Sequence, residues 1–124
     1  MLKDGDTYAT IPVSDMGKAR VFYGETLGLS IVRDTDGGVM YRSGTTLFFV
    51  YPSRFKAGGH TQMSWFVKDI KAEAANLRAK GIKFEEYTVP GLTQVDGIMQ
   101  SGPGVQTAWF KDPDGNLLGL TQID

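Results

Sequence analysis

His60 is the only imidazole in the 124-residue chain, and so the one ordinary candidate for an acid or base working near neutral pH. It sits in a Gly-rich connection two residues before Gln62, where a surface-loop histidine is the plainer reading. Glu85 and Glu86 are adjacent, so on an extended segment they point to opposite faces and cannot act as a dyad; Glu86 is the carboxylate that could face a cavity. Asp112-x-Asp114-x-Asn116 opens like a calcium loop, but Ile123 stands where a bidentate Glu is needed, and calcium is rejected. The chain has no Cys, which removes disulfides, Cys-zinc sites and thiol nucleophiles. No nucleophile elbow, phosphate loop or dinucleotide fingerprint occurs. Trp65 and Trp109 fall on strands, where core packing is the first expectation; Trp109 is also kept as a candidate pocket wall.

The elements that must position these groups follow from composition and period. Thirteen basic and 14 acidic residues give a formal net charge of −1, too little field to attract nucleic acid or an anionic membrane surface. The longest apolar run, Leu47 to Tyr51, is far below the ~20 residues that span a bilayer. The first residues have mixed charge and no apolar core, so no secretory signal is expected and the location is read as cytoplasmic. A chain of this length with 41% hydrophobic residues forms one domain, 1–124, that needs no metal or crosslink to stay folded.

Thr7 to Val13 alternates as a half-buried strand. Ser14 or Asp15 can cap a helix of about 13 residues carrying Met16, Ala19, Phe22, Tyr23 and Leu27 and ending at Gly28. Three strands are expected next, at Leu29 to Arg33, Val39 to Ser43 and Thr45 to Tyr51. After a connection over residues 52–61 the pattern restarts. Val13-Ser14-Asp15-Met16 is echoed by Val67-Lys68-Asp69-Ile70, 54 residues later. A second helix carries Ile70, Ala74 and Leu77, and strands follow at Ile82 to Tyr87, Val105 to Lys111 and Asn116 to Gln122. Ser43-Gly44 corresponds to Asp114-Gly115 at an offset of 71, enlarged by a Gly/Pro-rich insertion over 88–103. Two similar modules result, one over about 6–52 and one over about 61–123.

Val-Ser-Asp-Met-x5-Phe-Tyr-x3-Leu-Gly-Leu (Val13 to Leu29), Val-x-Asp-Ile with Lys-Gly-Ile (Val67 to Ile82) and Phe-Lys-Asp-Pro-Asp-Gly-Asn-Leu-Leu (Phe110 to Leu118) resemble the vicinal oxygen chelate superfamily. That group contains glyoxalase I, fosfomycin and bleomycin resistance proteins and extradiol dioxygenases. The resemblance runs from about residue 7 to 122. It implies an α+β fold of paired βαβββ modules whose curled mixed sheet encloses a cavity, with helices outside, and it implies a homodimer. The alternation then puts Ala9, Ile11, Val13, Met63, Trp65, Val67, Leu47, Phe49, Leu118 and Leu120 against the helices. Tyr8, Thr10, Phe48, Val50, Gln62, Ser64, Phe66 and Gly119 face inward.

In metal-dependent members a His or Gln lies seven residues before the strand-end Asp of each module, and a Glu lies in a last strand. The matching positions here are Tyr8, Gln62, Phe48 and Gly119, of which only Gln62 is a conventional ligand. No metal or other cofactor is therefore expected. The resemblance to metal-free resistance members implies a cavity that binds a small, partly apolar or aromatic molecule, walled by Tyr8, Thr10, Phe48, Gln62, Ser64, Trp109 and Gly119. The alternative is a metal-dependent glyoxalase-like lyase, isomerase or dioxygenase holding its ion through Gln62, His60 and Glu86. The 88–104 segment carries Leu92, Val95, Ile98 and Met99 and could lid the cavity or cover a partner.

Overall fold

The computed structural model describes all residues except Gly5 and residues 55–57, and the side chain of Leu2. The connection expected over 52–61 therefore lies partly outside the described residues. The class is α+β, with one mixed sheet in each of two compact units, Met1–Ala57 and Gly58–Asp124.

The first unit follows the expected order. β1 (Ala9–Val13) leads to α1 (Met16–Arg20), capped by Asp15, whose Oδ1 accepts from Lys18 N–H at 3.0 Å. α1 widens into a π-helical stretch (Val21–Thr26), closed where Leu27 N–H reaches back five residues to Phe22 C=O. Both neighbouring aromatics of that stretch, Phe22 and Tyr23, are buried. β2 (Ser30–Thr35), β3 (Gly38–Ser43) and β4 (Thr46–Pro52) complete a sheet in the order β1-β4-β3-β2, with β1 and β4 parallel.

The register fixes the two faces of this sheet. Val39 pairs with Val50, Tyr41 with Phe48 and Ile11 with Val50, so these residues share one face, and all are buried. Phe48 packs edge-on to Tyr23 (5.5 Å between centroids) and stacks with Tyr41 (5.7 Å). Burial of one such ring contributes roughly 1.5–3 kcal/mol. The inward assignment of Phe48 and Val50 is thus corrected: they belong to the helix-side core, and Leu47 and Phe49 take the open face.

In the second unit β5 (Thr61–Phe66) precedes α2 (Ile70–Ala79), capped by Asp69 Oδ1 accepting from Ala72 N–H at 3.1 Å. Ile70, Ala74 and Leu77 are its buried stripe. The helix stops at Gly81 (φ +91), with Ile82 N–H donating to Leu77 C=O. β6 (Gln94–Val95), β7 (Ile98–Gly102), β8 (Val105–Lys111) and β9 (Leu117–Ile123) give the order β5-β9-β8-β7-β6. β5 and β9 are parallel.

The strand expected at Ile82 to Tyr87 does not form. It makes one bridge, Phe84 to Phe110, and one adjacent bond from Glu85 N–H to Trp109 C=O at 2.7 Å. The reason is competition for the free edge of β8: β7, from the insertion, occupies Val105 to Thr107 and leaves only the end of β8 to residues 84 and 85. The insertion is therefore sheet. The β8–β9 hairpin closes on Asp112, whose Oδ1 accepts from the N–H groups of Asp114 (2.9 Å) and Asn116 (2.8 Å) while Oδ2 accepts from Asn116 Nδ2. No helix among the described residues is long and apolar enough to cross a membrane.

Candidate functional site

In the first unit the open face of the sheet carries a groove of about 260 Å³ lined by Tyr8, Arg33, Thr35, Gly38, Met40 and Phe49. Tyr8 stands just before β1, not within it, and its ring is 55% exposed. Thr10 pairs with Phe49, which puts it on the same face. Met40 also pairs with Phe49, so the floor is one cross-strand row. Gly38, the first residue of β3, makes the floor possible. Its φ of +143 is open to glycine alone, and a Cβ there would lie 2.5 Å from Val50 O and 2.6 Å from Phe49 Cζ. One cationic group, Arg33, and one hydroxyl, Thr35, flank apolar Met40 and Phe49. Such a surface can receive a flat apolar body and hydrogen-bond its edge.

In the second unit the open face brings together Ser64, Gly119 and Trp109, successive members of one row across β5, β9 and β8. Gly119 does not leave empty space: a Cβ there would stand 2.5 Å from Ser64 Oγ and 3.6 Å from Trp109 Cδ1. Trp109 also meets Tyr87 edge-on at 5.5 Å. Gln62 occupies the bulge between Thr61 and Met63, an extra residue that turns it outward, and Phe66 at the far end of β5 is 83% exposed.

Unequal hairpins explain the slip at Phe48: Gly44 lies in the short turn between Ser43 and Thr46, Gly115 in the longer one between Lys111 and Leu117. Matching the turn glycines, Gly44 with Gly115, gives an offset of 71 and pairs Phe48 with Gly119. Beyond the bulge, Thr10 faces Phe49 in the first sheet as Ser64 faces Gly119 in the second. The offset is then 70, and a slip of one residue reverses the face. Phe49 and Met40 escape a sequence reading for this reason, although the alternation Val39-Met40-Tyr41 holds the signal, while Arg33 and Thr35 join the groove only through the pairing of β2 with β3.

The residues do not fit the divalent ion that the fold family implies. Tyr8 offers a phenol, Phe48 lies in the core, and Phe49 and Gly119 have no donor side chain. Among the described residues no three His, Cys, Asp or Glu side chains form a cluster able to hold a metal. Gln62 and Glu86 do not converge either. Residues 84–85 border β8, and β9 and then β5 follow, three strand spacings or roughly 14 Å across. His60 is exposed in the turn before β5, and Glu85 pairs with Lys111 at 3.1 Å.

Comparison with known proteins agrees with this architecture. The model of the Glyoxalase/Bleomycin resistance protein/Dioxygenase superfamily matches residues 7–120, and the chain belongs to that family. A glyoxalase family protein from Enterococcus faecalis is similar with a TM-score of 0.74 at 21% identity, covering 98% of this chain and 99% of that one. TnmS3, an antibiotic binding protein from Streptomyces sp. CB03234, has a TM-score of 0.68 at 24% identity over 97% and 98% of the two chains. The fosfomycin resistance protein FosX from Listeria monocytogenes has a TM-score of 0.69 at 13% identity over 97% and 93%. At these identities the likeness is one of fold. No curated protein matches the sequence.

Proposed function

We propose that this protein binds a small, partly apolar or aromatic molecule without a metal, in a sequestering or resistance-type role. The observation that carries this reading is the groove of about 260 Å³ in which Phe49 and Met40 form an apolar floor between Tyr8, Arg33 and Thr35. The row Ser64-Gly119-Trp109 gives the open face of the second unit's own sheet a similar mixed aromatic and hydroxyl character, which supports it. An antibiotic binding protein and a resistance protein among the structures of like fold agree with it. Binding then comes from burial of the ligand's flat surface and a few hydrogen bonds at its edge.

The reading includes a homodimer. Every residue of the edge strand β2 is exposed, Ile31 and Val32 among them, and an exposed strand edge is open to pairing. Sedimentation of a dimer is the expected result, and a monomer at all concentrations removes this part.

Elemental analysis after exposure to iron, nickel, manganese and zinc tests metal independence. The expected result is no stoichiometric metal. A retained ion, lost in Gln62→Ala together with lyase, isomerase or dioxygenase turnover, would replace this reading by a metal-dependent enzyme.

A further inference from the structure

The insertion builds a second cleft, on the other face of the second unit's sheet. Asp96 (φ 53) and Gly97 (φ 81) form the two-residue turn of a tight β6–β7 hairpin. Gln94 fastens its base: Oε1 accepts from Tyr87 N–H at 2.6 Å, and Nε2 donates to Glu85 O at 2.9 Å and Gly97 O at 3.0 Å. Gly97 rests on Phe84 so closely that a Cβ would stand 2.7 Å from Phe84 Cβ. A rigid hairpin therefore stands beside α2, and the two enclose a cleft of about 510 Å³.

The lining of that cleft is cationic at the helix and apolar at the hairpin. Lys71 and Arg78 are seven residues apart, two turns on one helix face and roughly 10.5 Å along the axis. Arg78 is held in place: its guanidinium lies 5.3 Å from the centroid of the Phe84 ring, and Nη2 donates to the Asp96 carbonyl. That leaves most of its five N–H donors for a ligand. Gln106 pairs with Gln122, whose Oε1 accepts from Ile70 N–H at 2.8 Å, so Gln106 is on the helix side, away from Trp109 and Gly119. Gln100 joins it as a second amide, and Val95 and Ile98 supply the apolar wall. Asp96 is the one carboxylate against two cations. The adjoining cleft, about 660 Å³ along residues 81–86, sets Lys83 and Arg78 against Glu85, Glu86 and Asp96, and it repels an anion by comparison.

We propose that the cleft between α2 and the β6–β7 hairpin is a second ligand site, for a small organic anion whose charged group sits between Lys71 and Arg78 and whose apolar body lies on Val95 and Ile98. Arg78, held by Phe84 and Asp96, and the apolar wall are in place before a ligand arrives, which lowers the ordering cost of binding.

Titration of the full chain with phenyl phosphate, read by amide NMR, tests it. The expected result is saturable shifts at Lys71, Arg78, Val95, Ile98, Gln100 and Gln106, weaker at high salt, with inorganic phosphate binding less tightly and phenol not at all. Lys71→Gln, an exposed change that leaves the fold intact, should weaken binding roughly tenfold. Absence of saturation, shifts gathered instead at Ser64, Trp109 and Gly119, or equal affinity in Lys71→Gln would overturn the proposal.

Discussion

The ring of Phe49 rests on Gly38, close enough that a Cβ on Gly38 would come within 2.6 Å of Phe49 Cζ. The glycine is thus the seat of the aromatic floor, and its φ of +143 adds a backbone demand that no other residue meets. Gly38→Ala is expected to lower stability by about 2–3 kcal/mol, measured by urea unfolding, and to disturb the Tyr8–Phe49 groove. A variant of unchanged stability would mean that Phe49 is loosely held.

Ser64 and Gly119 are coupled by the same kind of contact. Gly119→Ala drives its methyl into Ser64 Oγ, and the cost should fall by about 1 kcal/mol when Ser64 is first changed to Gly. A double-mutant cycle with no coupling term would show that the row yields by backbone movement instead.

Tyr41 offers a pH test. Its hydroxyl is buried without a hydrogen bond among the described residues, and burial raises its pKa above the ordinary 10.0 despite the lowering effect of Arg20. The neutral phenol is therefore the form the fold prefers. Its contribution is complete below pH 10.0 and is lost as pH rises through the higher folded value, because the unfolded chain ionises first. Tyr41→Phe should flatten the stability profile on the alkaline side, and at neutral pH it should stabilise by roughly 1 kcal/mol by removing an unmet hydroxyl. Loss of stability at pH 7 would show that the hydroxyl has a partner in solution.

Gln94 holds three backbone groups at once. Gln94→Ala should cost roughly 2 kcal/mol and should raise hydrogen exchange first at β6 and β7, leaving α2 and β9 protected. Uniform loss of protection would instead make the insertion part of a single cooperative unit.

Much of the architecture could be read from the residues because local signals agreed. Asp15 and Asp69 cap the helices, Gly81 ends α2, and Asp112-Pro113-Asp114-Gly115-Asn116 closes the last hairpin, each by chemistry confined to a few neighbours. Register is a different matter. The faces of β4 follow from its pairing with β1 and β3, whereas the turn glycines that suggest the alignment sit in hairpins of unequal length, closed by Ser43 and Thr46 in one and by Lys111 and Leu117 in the other. β7 was equally hidden, because the insertion reads as Gly/Pro-rich loop until its hairpin displaces Ile82 to Tyr87 from the edge of β8. Alternation puts Tyr8, Thr10, Ser64 and Gly119 on the face where the pairing has them, whereas Trp109, expected first in the core, shares that face through its pairing with Gly119; Arg33 and Thr35 enter only through the three-dimensional pairing of β2 with β3.

The central claim is that the Tyr8–Phe49 groove takes a small aromatic molecule without a metal. The most direct measurement is amide NMR of EDTA-treated protein titrated with a panel of flat aromatic fragments, naphthalene, quinoline and anthraquinone-2-sulfonate among them. The account predicts saturable shifts at Tyr8, Thr35, Gly38, Met40 and Phe49 for at least some of the panel, unaltered by added metal and lost in Phe49→Ala. Binding that appears only when a divalent ion is restored, or no binding by any fragment at these residues, would contradict it.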